Sequence, residues 1–272
     1  MMRVDCRGVS TEGLADSEQI RVASDCYIKN GYAILDNILP EAKIAALHVE
    51  FQKLYRDYLD DVERDDSVEV GKSRFLMHIR LCDGFGDPMV YANPYVLALV
   101  RKVLGADAIL EAFGAVVSLP GSAPQHVHAD GPALFNSEIS SLLPSHALTF
   151  ALPLIEMNET HGSTAIWAGS QRWAKHKEDV PSEVPTIPVG SGMMWDFRTY
   201  HSGTPNRSNQ ARPMIYMTYA RPWFRDPVNF WKEGQRRLMF GAGFVESLTD
   251  DTRPLFSQML RIAPGSEAEK TG

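Results

Sequence analysis

Gln125-His126-Val127-His128-Ala129-Asp130-Gly131-Pro132 follows the apolar run Ala115 to Leu119 and sets a histidine and an aspartate two residues apart. In an extended strand, residues i and i+2 project to one face. His128 and Asp130 can therefore aim an imidazole and a carboxylate at a common point, with His126 on the same face. What that pair can do depends on a third donor and on the elements that carry it.

Working outward, the segments downstream of about residue 109 are short, β-prone and separated by Gly, Pro, Asn and Ser clusters. Ile109 to Leu119, Ala147 to Ile155, Thr164 to Ala168, Gly192 to Phe197 and Pro213 to Tyr219 read as strands of an antiparallel barrel or sandwich. Upstream the pattern is helical. Ile20, Val22, Ala23 and Tyr27 suit a helix capped by Ser17. Tyr32 to Leu35 reads as a strand, and Pro40 opens a helix carrying Ile44, Leu47, Phe51, Leu54, Tyr55 and Leu59. Asn93 caps another helix, to Val103. Lys72 to Cys82, if it is a strand, sets Lys72, Arg74, His78 and Arg80 on one face and Phe75 and Ile79 on the other. Asp60 to Asp66 is expected to be an acidic loop, and Phe230 to Leu238 a helix in the tail. The reading is a single domain over 1–272: helical support at 17–105, a mainly β core at 109–224 and an extension at 225–272.

The 272 residues, 44% hydrophobic and 22% charged, suit a globular chain with a substantial core. A net charge of −7 argues against nucleic acid or an anionic membrane as partner. No stretch reaches the ~20 apolar residues of a membrane span. Cys6, Cys26 and Cys82 are widely spaced and odd in number, so a reducing, cytoplasmic setting is expected. The oligomeric state is open.

His201, between the apolar strand Gly192 to Phe197 and a Gly-Thr-Pro-Asn turn, is the candidate third donor. Two histidines and one carboxylate form the facial set that holds non-haem Fe(II) and leaves positions open for substrate and oxygen. Arg212 enters the next apolar strand eleven residues later. Its planar fork makes paired, charge-assisted hydrogen bonds to a carboxylate, which suits the far end of a dicarboxylic co-substrate. Thr149, inside Ala147 to Leu154, is a candidate hydrogen-bond partner for the same molecule.

Tyr32 to Leu35, His128-Ala129-Asp130-Gly131, Asn158 through Gly162-Ser163-Thr164 to Gly169-Ser170, and Phe197 through His201 to Arg212 fall in an order that resembles the phytanoyl-CoA dioxygenase-like family. The resemblance spans roughly Gln19 to Phe224. It implies an α+β architecture, a double-stranded β-helix (jelly-roll, cupin-like) core buttressed by N-terminal helices. It implies an Fe(II)- and 2-oxoglutarate-dependent dioxygenase that consumes O2 and releases succinate and CO2. His128, Asp130 and His201 match the iron ligands, and Arg212 the residue that binds the 2-oxoglutarate C5 carboxylate. Gln171-Arg172 departs from the family, which often has a histidine there, and Ala129 is smaller than usual. With Asp130 present, hydroxylation, desaturation or cyclisation is expected rather than halide transfer.

The expected substrate is a small molecule, possible secondary metabolites included, and the residues that choose it fall in loops such as 60–72 and 134–146. Arg74, His78 and Arg80 read as a basic wall for an anionic substrate. His126, Phe135 and Trp195 are further candidate contacts. Two competing readings are a β-helix binding protein that retains metal without chemistry, and a cupin-like metal-dependent hydrolase or isomerase.

Overall fold

A computed structural model describes residues 2–56, 68–131, 133–135, 138–230 and 236–262. Its centre is an eight-stranded sheet in the order β1-β2-β9-β7-β11-β6-β4-β3. The strands are β1 (Arg3–Asp5), β2 (Tyr32–Asp36), β3 (Val68–Gly71), β4 (Arg74–His78), β6 (Ile109–Ser118), β7 (Ala147–Pro153), β9 (Gly192–Asp196) and β11 (Arg212–Ala220). A short second sheet faces it, formed by β8 (Thr164–Ile166) and β10 (His201–Gly203) in antiparallel register. Backbone bridges His128↔His201 and Ile166↔Glu183 extend this second sheet on both sides. The chain thus forms the expected jelly-roll β core with helical support.

Strand alternation explains why the large sheet has two different faces. Phe113, Ala115 and Val117 of β6, with Ile215, Met217 and Tyr219 of β11, point into the main apolar core. Helices α1 (Glu18–Asn30), α2 (Glu41–Leu54) and α3 (Pro94–Leu104) cover that face with Ile20, Tyr27, Leu47, Phe51, Leu99 and Val100. Intervening residues point between the two sheets, where Tyr32, Ile34, Met193, Ile166 and Ile187 form a second core. That inner face also carries the polar side chains described below.

The local start signals act as expected. Ser17 Oγ accepts the Ile20 N–H, and Asn93 Oδ1 accepts those of Tyr95 and Val96. Each satisfies backbone donors that a first helical turn leaves open. Helix α2 stops at Leu54, short of the expected span, and Leu59 lies outside the described residues. So do the acidic loop at 60–66 and most of the tail helix expected at 230–238, whose residues 236–238 are not helical.

One strand expectation needs correction. Lys72 to Cys82 is not one strand: β4 ends at His78, and Arg80 belongs to a separate pair, β5 (Arg80–Leu81) with β12 (Met239–Phe240). Lys72 lies in the turn before β4, where Ser73 takes a φ of 57°. The proposed row of four basic side chains is therefore broken at both ends.

Candidate metal centre

His128 and Asp130 do not sit in a regular strand, as i, i+2 spacing suggested. Their segment is laid along β10 instead, through Gln125 N–H to Gly203 O (2.9 Å), His128 N–H to His201 O (3.0 Å) and His201 N–H to His128 O (2.8 Å). This pairing, of residues far apart in sequence, sets the two imidazoles with ring centroids 4.4 Å apart. His128, Asp130 and His201 each offer a donor atom, all within 4.8 Å of one another, and His201 Nε2 lies 3.4 Å from Asp130 Oδ1.

The atoms behind these donors fix their chemistry. His128 Nδ1 lies 2.9 Å from His126 O, and His201 Nδ1 2.9 Å from Thr199 O. A carbonyl only accepts, so each Nδ1 carries the proton and each Nε2 keeps its lone pair. Burial, and then the neighbouring His201, holds the His128 imidazole below its ordinary pKa, which favours the neutral ligand form. Asp130 Oδ2 accepts from Thr149 Oγ1 (2.6 Å) and Trp195 Nε1 (2.9 Å), leaving Oδ1 toward the histidines. In register, Thr149 and Trp195 are cross-strand partners on β7 and β9, so the sheet itself builds the carboxylate's support. Two imidazole nitrogens and one carboxylate oxygen are a donor set that fits Fe(II).

The triad opens into a cavity of about 140 Å³. At one end stand two buried arginines, Arg74 and Arg212, each in register with Ser118 of the strand between them. Arg212 Nη2 donates to Ser118 Oγ at 2.8 Å, and its Nη1 faces only the sulfurs of Met214 and Met157 at 3.7 and 3.9 Å. Arg74 Nη2 reaches the carbonyls of Thr204 (2.8 Å) and Ala123 (3.2 Å). Among the described residues neither has a carboxylate partner, and the Nε of each is buried without a hydrogen bond. Burial pulls Arg74 down to about 10; burial and then Arg74 pull Arg212 down to about 9. Two unneutralised guanidiniums side by side make a site for an anion. Gly203 allows the arrangement: a Cβ there would stand 1.9 Å from Arg74 Nη1.

Other expected contacts fall elsewhere. The Thr149 hydroxyl is committed to Asp130 rather than turned to a co-substrate, although Thr149 does line the cavity. Trp195 lines it too, with its indole N–H on Asp130 and its ring 5.0 Å from that of His201. His126 is exposed and contributes its carbonyl to His128, its ring standing 4.9 Å from the His128 ring. Phe135 is 58% exposed and off the cavity lining. His78 is buried on β4 but does not reach the lining, and Arg80 is exposed, donating to Phe240 O at 3.4 Å. The basic wall thus reduces to Arg74, which belongs with Arg212.

Several lining residues escaped sequence reasoning. Asn229 Nδ2 donates to Asp130 O at 2.7 Å, and Asp226 and Phe230 help close the cavity. Their anchor is Glu111, opposite a register shift at Thr218/Tyr219, whose carboxylate takes the Asp226 N–H (3.0 Å) and Arg237 Nη1 (2.5 Å). A charged residue inside Ile109-Leu110-Glu111-Ala112-Phe113 was the available signal. Tyr216 and Thr218 of β11 also face the site.

Comparisons with known proteins agree with this geometry. The family model described as phytanoyl-CoA dioxygenase (PhyH) matches residues 27–214. Uncharacterized protein Rv1501 of Mycobacterium tuberculosis is 23% identical over 236 residues, covering 82% of each chain. The Fe(II)/2-oxoglutarate-dependent dioxygenase nvfF of Aspergillus novofumigatus is 23% identical over 203 residues, covering 70% of this chain and 67% of its own. Among solved structures, the epimerase SnoN, in complex with Fe3+, alpha ketoglutarate and nogalamycin RO, superposes with a TM-score of 0.59. That match has 17% identity and covers 81% of this chain and 94% of SnoN. With a matching model over most of its length and a His/Asp/His cluster beside a paired-arginine pocket, the chain belongs to the phytanoyl-CoA dioxygenase (PhyH) family.

Proposed function

We propose that the protein is a non-haem Fe(II)- and 2-oxoglutarate-dependent dioxygenase that oxidises a small molecule, releasing succinate and CO2. The observation that carries this reading is one cavity holding both the His128/Asp130/His201 cluster and two buried arginines without counter-charge. Iron bound there, with 2-oxoglutarate and O2, supplies the oxidising power that no side chain has.

The chain's own residues supply position and charge. His128 and His201 turn their Nε2 atoms to the site because their Nδ1 atoms are engaged by carbonyls. Thr149 and Trp195 hold Asp130 in one orientation. Arg212, supported by Ser118 and neighboured by Arg74, takes the distal carboxylate of the co-substrate, whose negative charge offsets one of the two guanidiniums. Trp195, Phe197 and Phe230 limit water around the reacting centre. The named relatives, a dioxygenase and an epimerase in complex with nogalamycin RO, support a small organic substrate and hydroxylation or another C–H oxidation. The single-domain arrangement over 1–272 is part of the same proposal.

The test is anaerobic addition of Fe(II) and 2-oxoglutarate, followed by oxygen. Wild type is expected to develop the visible band of a 2-oxoglutarate chelate and then release succinate. His201→Ala should do neither. Full turnover in His201→Ala sinks the assignment, and full activity in Arg212→Ala points to a metal-dependent hydrolase or isomerase instead.

A further inference from the structure

Beyond the arginine end, the cavity changes character. The only permanent cations in its described lining are Arg74 and Arg212. Away from that end and from the triad, the described polar lining is neutral or acidic: Gln125, Thr164, Tyr216, Thr218, Asp226 and Asn229. Among the described residues no lining side chain beyond the arginine pair carries a permanent positive charge.

Tyr216 stands out within this lining. It is 7% exposed, lines the cavity, and its hydroxyl has no hydrogen-bond partner among the described residues. The position is built for the ring. Tyr216 is in register with Gly114 on β6, and a Cβ on Gly114 would lie 2.7 Å from the ring and 2.8 Å from the phenol oxygen. A glycine inside a strand is costly, and here it makes room for the aromatic side chain. Filling that gap needs only the ring, however; phenylalanine would do it without burying an unmade hydrogen bond. The hydroxyl is thus unexplained by packing. Burial, then the carboxylates of Asp226 and Asp130, push its pKa up, so it remains a neutral donor.

We propose that the Tyr216 hydroxyl binds an oxygen of the primary substrate, and that this substrate is a neutral, oxygen-bearing molecule rather than a carboxylate, phosphate or acyl-CoA. The inference rests on the oxygenase reading above. Thr218, two residues along the same strand face and in register with Thr149, continues a neutral hydrogen-bonding wall from Tyr216 toward the Asp130 side of the cavity. Tyr216 acts by holding the substrate's position and supplies no proton to it.

The experiment uses the iron- and 2-oxoglutarate-loaded protein and Tyr216→Phe. The probes are neutral polyhydroxylated phenols and glycosides, each beside a carboxylated analogue. In wild type, neutral members are expected to raise succinate release. In Tyr216→Phe the KM for those members should rise about tenfold, the size of one lost hydrogen bond. The midpoint of the anaerobic 2-oxoglutarate titration should stay within about twofold. Melting temperature should hold or rise, because an unmade buried hydrogen bond is removed. A fall of more than about 3 °C would mean that the phenol is a structural group. A weakened titration would mean that it serves the co-substrate. Either result overturns the proposal, as does an unchanged KM or a panel in which only the carboxylated members, or none, act on wild type. A wild type without the 2-oxoglutarate band sinks the oxygenase reading instead, so the two failures are distinguishable.

Discussion

At the scale of single residues, the groups behind the metal donors decide how the site behaves. Thr149 and Trp195 touch Asp130 Oδ2 and leave Oδ1 for metal. Partners of this kind commonly account for ten- to hundredfold in metal affinity. Thr149→Val and Trp195→Phe are each expected to weaken Fe(II) binding by about that factor, read in an anaerobic titration, with the far-ultraviolet spectrum unchanged. Arg212→Lys keeps a charge but loses the planar fork and the reach to Ser118 Oγ. It should raise the KM for 2-oxoglutarate at least about tenfold while Fe(II) affinity stays as in wild type. The triad and Arg212 were legible in the sequence because their residue types have few other uses at that spacing. The roles of Thr149 and Trp195 were not, since any strand threonine or tryptophan looks alike until its cross-strand partner is known.

Among the elements, β6 and β11 carry the most, with one face in the helix-covered core and the other in the cavity. Gly114 of β6 is tightly enclosed: an added Cβ meets the Tyr216 ring of β11 and also Met77 O of β4 at 2.8 Å. Gly114→Ala is expected to destabilise by about 1–3 kcal/mol through overpacking. Because the Met77 carbonyl remains in place, adding Tyr216→Phe should not restore it; thermal melts of the single and double variants check this. At the other end of the fold, Ser17→Ala removes the cap of α1 and should cost about 1 kcal/mol without touching metal affinity. Helix starts were readable in the sequence because capping is local chemistry. The break of the expected Lys72 to Cys82 strand was not, since β5 leaves the sheet to pair with residues 239–240, some 160 positions away.

For the molecule as a whole, acid sensitivity has an identifiable source away from the metal. His146 is 1% exposed, both ring nitrogens lack hydrogen bonds, and Phe197, Trp223 and Phe224 surround it. Burial, opposed by Asp196 and aided by Arg198 and Arg221, pulls its pKa from 6.5 down to about 4. Above pH 6.5 the ring is neutral in both the folded and unfolded chain. As pH falls, the unfolded chain takes the proton first, so stability declines from about pH 6.5 and the loss is complete below about pH 4. The full effect is at most about 3 kcal/mol. Denaturant melts of wild type and His146→Phe across pH 4–7 should converge in slope only if that residue is not the cause; the expected result is a flatter profile for the variant. No described helix is long and apolar enough to cross a membrane.

The sequence by itself determined the fold class, the order of helices and strands, the three candidate donors and the arginine that faces them. These follow from local periodicity, capping and residue types whose chemistry is narrow. Tertiary structure decided what depends on register between distant segments. It laid 125–128 along 201–203, put Arg74 and Arg212 on either side of Ser118, and withdrew Arg80 and Phe135 from the cavity. It also left the Tyr216 hydroxyl in the cavity wall without a partner among the described residues. A one-residue change of register moves a side chain to the opposite face of its sheet, and no pattern within a single strand reveals which neighbour it will meet.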